Sequence, residues 1–340
     1  MLVMRPARSG DVDGVLALAK ASPVGVTSLP DDRSRLAERI AASEAAMASE
    51  VNYAGEESYF FVLEDEQSGE LLGCSGIVAA VGVSEPFYSF RNETFVHASR
   101  ALGISHKVHA LSLCHDLTGH SLLHGFYLKP ELLAAQPQLA ELVSRARLLF
   151  MASHPERFAE AVVVEIVGYS DSEGNSPFWD HVGRHFLDVS YAEAERLCGV
   201  KSRTFLAELM PHYPLYVPLL DEAAQQVMGE VHPESQITFD VLMREGFDTD
   251  RYIDIFDGGP TLTARTSSIR SIAHSHLLPA QVGAVNGRTR PCLVAHGRRE
   301  AFRAIVAAAD PLSGQALAIS PQQALLLGVA PGAPVRVVAL

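Results

Sequence analysis

Between residues 59 and 81 the sequence spells out a β-hairpin, and that hairpin limits what the rest of the chain can build. Tyr59–Glu64 is aromatic and β-branched, Gln67-Ser68-Gly69 has turn chemistry, and Leu71–Val81 is a long apolar run. Two neighbouring antiparallel strands rule out an all-parallel sheet. Leu2–Arg5 reads as a short strand ahead of the hairpin. Ser9-Gly10-Asp11 then offers capping oxygens to a helix with Val12, Val15, Leu16 and Ala19 on one face. A second helix follows Pro30, where Asp31 and Asp32 suit the positive N-terminal dipole and Leu36 and Ile40 share a side. Two further strands are expected at Leu122–Leu128 and Val162–Val167, separated by a helix over Leu132–Ala152.

The resulting order, β-α-α-β-β-β-α-β, is an antiparallel meander followed by one β-α-β crossover, which differs from a doubly wound nucleotide fold. It predicts an α/β (α+β) domain with a mixed sheet flanked by helices. This order resembles the GCN5-related N-acetyltransferase (GNAT) architecture. That resemblance implies that the strands at 122–128 and 162–167 splay apart and that acyl-CoA enters the gap. Further along, helices are expected at Ala192–Leu197 and Arg203–Leu209. A strand over Tyr252–Phe256 leads into the loop Asp257-Gly258-Gly259-Pro260. From about Ser275 the composition shifts to Val, Ala and Gly, with apolar runs at Cys292–Val294, Ala304–Ala307 and Val335–Val338. The expected division is therefore a GNAT-like domain over 1–270, with an elaborated C-terminal part, and a small, mostly β subdomain over 271–340.

Charge and motif content narrow the function. A formal net charge of −13 argues against nucleic acid or anionic membrane as a partner and favours a cationic small substrate. Cys74, Cys114, Cys198 and Cys292 are scattered without a C-x-x-C pair, so neither a disulfide framework nor a zinc ribbon is expected, and a reduced, cytoplasmic setting is. The apolar run at the N-terminus is too short for a signal peptide, and no later stretch reaches membrane-spanning length without polar interruption. A phosphate loop, H-E-x-x-H and G-x-S-x-G are all missing from the sequence. His97, His106, His109, His115, His120 and His124 raise the question of a metal, but their spacing puts no pair on one helical face with an acidic third ligand; no metal is expected.

His232 stands in Met228-Gly-Glu-Val-His-Pro-Glu-Ser-Gln236, ahead of a helix that ends at Gly246-Phe247. Two roles fit it from local sequence: an N-cap, with Pro233 at the first helical position and Glu234 favourable to the dipole, or a group that exchanges one proton. Six short peptides then occur in an order that is specific jointly. They are Phe87-Tyr88-Ser89-Phe90-Arg91, Thr94-Phe95-Val96-His97-Ala98-Ser99, Asp116-Leu117-Thr118-Gly119, Ser176-Pro177-Phe178-Trp179, Ala207-Glu208-Leu209-Met210-Pro211 and Tyr252-Ile-Asp-Ile-Phe-Asp-Gly-Gly-Pro260. Together they resemble the arginine N-succinyltransferase family over residues 1 to about 270, and more loosely to the end. The resemblance implies transfer of succinyl from succinyl-CoA to the α-amino group of L-arginine in arginine catabolism, with succinyl-CoA as co-substrate and no permanently bound cofactor. It places the family's proton donor on His232, through Gly229-x-Val231-His232-Pro233, and its succinyl-CoA contact on Leu128. By residue type, Arg91 could pair with the succinyl carboxylate, and Asp116 or Asp254 with the arginine guanidinium; each is equally compatible with a structural ion pair.

One segment departs from the pattern. GNAT enzymes cradle the CoA pyrophosphate on a glycine-containing turn after the central strand. Here Lys129-Pro-Glu-Leu-Leu-Ala-Ala-Gln-Pro-Gln-Leu-Ala140 has neither glycine nor arginine. The chain thus looks most like the α-type subunit of a paired enzyme, with a homologous β-type subunit as partner. Two readings follow: a succinyltransferase that uses His232, with ornithine a possible alternative to arginine, or a non-catalytic structural or regulatory subunit of a hetero-oligomer.

Overall fold

The computed structural model describes residues 1–22, 29–200, 208–285, 289–311 and 315–340. The helix expected over Arg203–Leu209 falls almost wholly outside them. The N-terminal part runs β1 (Leu2–Pro6), α1 (Val12–Ala21), α2 (Arg33–Ala48), β2 (Ser58–Asp65), β3 (Glu70–Val78), β4 (Ser89–Ser99), β5 (Ile104–Cys114), β6 (Ser121–Leu128), α3 (Pro130–Ala135), α4 (Gln138–Ser153) and β7 (Ala161–Glu165). The 59–81 hairpin forms as read, with Tyr59 opposite Ile77. Asp32 caps α2 by accepting the Arg35 N–H at 2.9 Å. The sheet is mixed: β3 and β6 pair antiparallel, and β6 and β7 parallel.

Three elements differ from expectation. The antiparallel ribbon β4/β5, eleven residues in each strand, has no counterpart in the expected order. Its outer half, Thr94–Ile104, is exposed for most of its length. Solvent on both faces imposes no apolar alternation, so there was no period-2 signal to read. The single helix expected over Leu132–Ala152 is two, because Pro137 has no N–H and Gln136 before it adopts φ −142°, ψ 75°. The strand expected over Tyr252–Phe256 lies earlier, as β9 (Asp248–Ile253), after the two-residue β8 (Leu215–Tyr216). Asp254–Gly259 turns the chain back into β10 (Pro260–Arg265), which pairs with both β9 and β7.

The tail supplies β11 (His276–Val282), β12 (Arg290–His296), β13 (Arg303–Ala309), β14 (Leu317–Ile319) and β15 (Pro334–Ala339). These strands bury an apolar cluster of their own, including Cys292, Val294, Ile305, Val335 and Val337. They also continue the main sheet, since β13 pairs antiparallel with β1 at Ala304 and Met4. The larger core lies under α4, where Leu142, Val143, Leu149 and Phe150 pack on Phe61, Ile77 and Leu123.

The helix Gln236–Glu245 rests on α4 and ends, as expected, at Gly246, whose φ of 92° suits a residue without Cβ. Its last residue, Glu245, is fully buried. One oxygen lies 2.8 Å from Arg145 Nε on α4, and the other accepts the Ser271 N–H at 2.6 Å. Glu245→Ala leaves a buried guanidinium with Glu141 as its remaining carboxylate and strands the Ser271 N–H. The expected cost is about 3 kcal/mol, read as a lower midpoint in urea at unchanged slope.

Candidate functional site

β6 and β7 pair only at Ser121 with Val162 and at Leu122 with Val163. Beyond those residues the two strands part. A cavity of about 740 Å³ occupies the gap, walled by residues 122–128 of β6, by 164–167 of β7 and its continuation, and by Ser235, Ile237 and Thr238 of the helical segment that follows His232. Leu128 lies in this wall, buried at the end of β6 and paired with Gly73 of β3. Past Leu122 the ladder to β7 has ended, and the unpaired edge of β6 borders the cavity.

His232 is held at the rim by its backbone. Its N–H donates to Val167 O at 2.9 Å, and Val231 forms an antiparallel bridge with Gly168, so the segment hangs on the continuation of β7. The ring is half-buried, and Nδ1 accepts the Glu234 N–H at 3.2 Å, capping the turn Pro233–Ser235. An imidazole whose Nδ1 accepts keeps its proton on Nε2. The cap read from sequence is formed by Nδ1, and Nε2 is the nitrogen that a proton-exchange role would use. Glu234 and Ser235, the next residues but one and two, line the cavity.

The remaining candidates lie elsewhere. Arg91 and Asp116 meet each other at 2.6 Å at the base of the β4/β5 ribbon, with Glu93 3.0 Å from the same guanidinium and Tyr252 donating its hydroxyl to Asp116 at 3.3 Å. The guanidinium holds the Asp116 carboxyl below the usual carboxylate range although its partial burial pushes the other way. Asp254 is buried, and its Oδ1 accepts the N–H groups of Phe256 at 2.6 Å and Asp257 at 3.3 Å, which tightens the turn into β10. None of the three lines the cavity.

Asp257, three residues on, was not singled out from sequence. It is buried and accepts the Gly168 and Gly259 N–H groups, both at 2.8 Å, together with the Tyr191 hydroxyl at 3.3 Å. Burial first, and then the neighbouring Asp254 carboxylate, pushes its carboxyl up to about 8. The same turn receives the Gly229 N–H on Gly258 O at 2.8 Å. One buried turn thus braces both segments that hold His232: 166–168 and 229–232.

Arg39, His124 and Arg147 also line the cavity and were not singled out for it either. For Arg147 the signal was present: with Ser144 and Arg145 it interrupts the apolar residues of Leu142–Met151, in a helix buried on every side. At the end of β6, Lys129 reaches Glu70 in an ion pair. Pro130 has no N–H, and Leu132 and Leu133 both donate to Lys129 O, so those two donors are spent within the helix.

The family described as arginine N-succinyltransferase beta subunit matches residues 2–271, and the C-terminal domain of that subunit matches 276–339. Over its whole length the chain is 66% identical to arginine N-succinyltransferase subunit alpha of Pseudomonas aeruginosa, each chain being covered completely. It is 39% identical to subunit beta of the same organism, covering 98% of that protein. Identity to the arginine N-succinyltransferase of Yersinia pseudotuberculosis is also 39%, with 98% of that protein covered. The solved structure of arginine/ornithine succinyltransferase subunit AI from Pseudomonas aeruginosa superposes with a TM-score of 0.91 at 63% identity, covering all of this chain and 98% of that one.

Proposed function

The chain belongs to the arginine N-succinyltransferase family, and from that premise we propose that it moves the succinyl group of succinyl-CoA to the α-amino nitrogen of L-arginine, with His232 as proton donor. The observation that carries this reading is the gap between β6 and β7, with His232 tied by its own N–H to the β7 side of it. The substrate ammonium gives up its proton to solvent, and the amine lone pair attacks the thioester carbonyl, forming a C–N bond. As the tetrahedral intermediate collapses the C–S bond breaks, the departing thiolate takes the proton from His232 Nε2, and the proton shed by the acylated nitrogen returns to Nε2. N–H groups on the free edge of β6 supply donors to the oxygen on which negative charge develops. Leu128 closes the same wall and contacts the acyl-CoA. The reaction needs no permanently bound cofactor and runs in the cytoplasm.

The partner is a homologous β-type subunit. Both named subunits of Pseudomonas aeruginosa align with the full length of this chain. The absence of glycine after Lys129, and the spent donors of Leu132 and Leu133, favour a second reading in which the partner holds the CoA pyrophosphate and performs the transfer. The two readings separate when the chain is purified alone and together with its partner, and CoA release from succinyl-CoA is followed with arginine and then with ornithine. Turnover by the lone chain is the expected result. An inert lone chain whose complex keeps its full rate as the His232→Ala variant would assign the chemistry to the partner.

A further inference from the structure

We infer that Arg147 forms the anion end of the acyl subsite and binds the distal carboxylate of the succinyl group, an inference that rests on the gap between β6 and β7 being the acyl-CoA site. Arg147 projects from α4, is 1% exposed and lines the cavity. A guanidinium has five N–H donors. Nε donates to Ser144 O at 3.0 Å, Nη1 to Gly76 O at 3.3 Å and to His124 O at 3.1 Å, and Nη2 to Ser144 Oγ at 3.3 Å. Every one of those acceptors is neutral, and among the described residues the second Nη2 proton has no acceptor. The fork is fixed in place while its charge is left uncompensated.

The surroundings do not supply the missing anion. Among the described residues, the acidic group acting on Arg147 is Cys74, whose thiol burial pushes up to about 12 and which is therefore protonated. Burial and the guanidinium groups of Arg39 and Arg147 hold the His124 imidazole well below its usual range, so it is neutral and cannot carry countercharge. Arg147 itself is brought down only to about 9 by burial and stays cationic at neutral pH. Glu56, Glu85, Glu165, Glu195 and Glu234 also line the cavity, and none of them is among the groups acting on Arg147. A cation desolvated among neutral acceptors is costly, and an entering carboxylate offsets that cost with charge-assisted bonds. Succinyl differs from unsubstituted acyl groups by such a carboxylate at its far end. The position fits: Gly76 and His124 flank the irregularity in the β3/β6 ladder at the inner part of the splayed strand, away from Leu128 at its outer end.

The test is calorimetric titration of the full-length protein, with its partner subunit present, using succinyl-CoA, butyryl-CoA and free CoA. Butyryl keeps the chain length up to the carboxylate and lacks the charge. The wild type is expected to bind succinyl-CoA at least about tenfold more tightly than butyryl-CoA, and Arg147→Gln to bring that ratio close to one while leaving butyryl-CoA and CoA affinities in place. Arg147→Lys keeps the charge in a core that loses less, and its ratio is expected to fall severalfold because an ammonium does not reproduce the planar fork. A wild-type ratio near one overturns the inference without any variant. So does an unchanged ratio in both variants, or an equal loss for all three ligands, which would assign Arg147 to the CoA phosphates or to the fold. Failure of the wild type to bind any of the three would remove the premise and the inference together.

Discussion

His232→Ala lowers the rate of succinyl transfer in the assembled enzyme by about 10²–10⁴-fold, the span a positioned general acid contributes, with KM for both substrates little changed. The split between kcat and KM follows from where the residue stands. Its side chain is not part of the cavity wall, so ground-state binding does not depend on it, whereas thiolate departure does. Stability is a separate matter. Alanine removes the Nδ1 acceptor from Glu234 N–H, a cap contribution of about 1 kcal/mol. His232→Asn restores an acceptor at the N-cap but has no acidic proton to give. It is expected to melt like the wild type and to be as slow as the alanine variant. If alanine and asparagine both keep at least half the rate, measured as thiol release with arginine in excess, proton donation lies in the partner subunit.

How much of this was readable in the sequence depended on where each residue's partners are. β1, β2, β3 and β7 are buried on both faces and read as continuous apolar runs, while α1, α2 and β6 bury one face, and run length and periodicity report both directly. The His232 environment was legible too, because its cap partners, Pro233 and Glu234, are its neighbours in the chain. By residue type Arg91 and Asp116 suit substrate charges, yet the β4/β5 ribbon folds back to bring these residues, 25 positions apart, against each other. No local pattern announces that pairing. Arg147 and Asp257 were passed over for the complementary reason. The meaning of Arg147 comes from Gly76 and His124, 71 and 23 positions away, and that of Asp257 from Gly168, 89 positions away. Arginines among the buried apolar residues of α4 and an aspartate ahead of a Gly-Gly pair were visible anomalies. What they bind is tertiary information.

The second large effect is expected at Gly259, where the fold leaves no room for a methyl group. A Cβ there would stand 2.3 Å from Ile166 O, 2.5 Å from Gly168 N and 2.8 Å from Gly168 Cα, all backbone atoms. No rotamer relieves contacts of that kind, so the Asp254–Pro260 turn has to separate from residues 166–168. That separation stretches the Gly168 and Gly259 N–H bonds to Asp257 and disturbs the bond from His232 N–H to Val167 O. Gly259→Ala is therefore expected to cost about 3 kcal/mol, the upper part of the usual range for overpacking, and to lower Tm by about 4 °C. It should also reduce kcat well below the midpoint, because the segment carrying His232 loses its register against β7 while still folded. Gly10→Ala is the matched control: no atom lies within 4 Å of its added methyl, and both Tm and kcat should stay put. A Gly259→Ala protein that melts with the wild type would show that the turn does not press on Gly168. A protein that melts early but turns over normally at low temperature would show that the turn supports the fold without positioning His232.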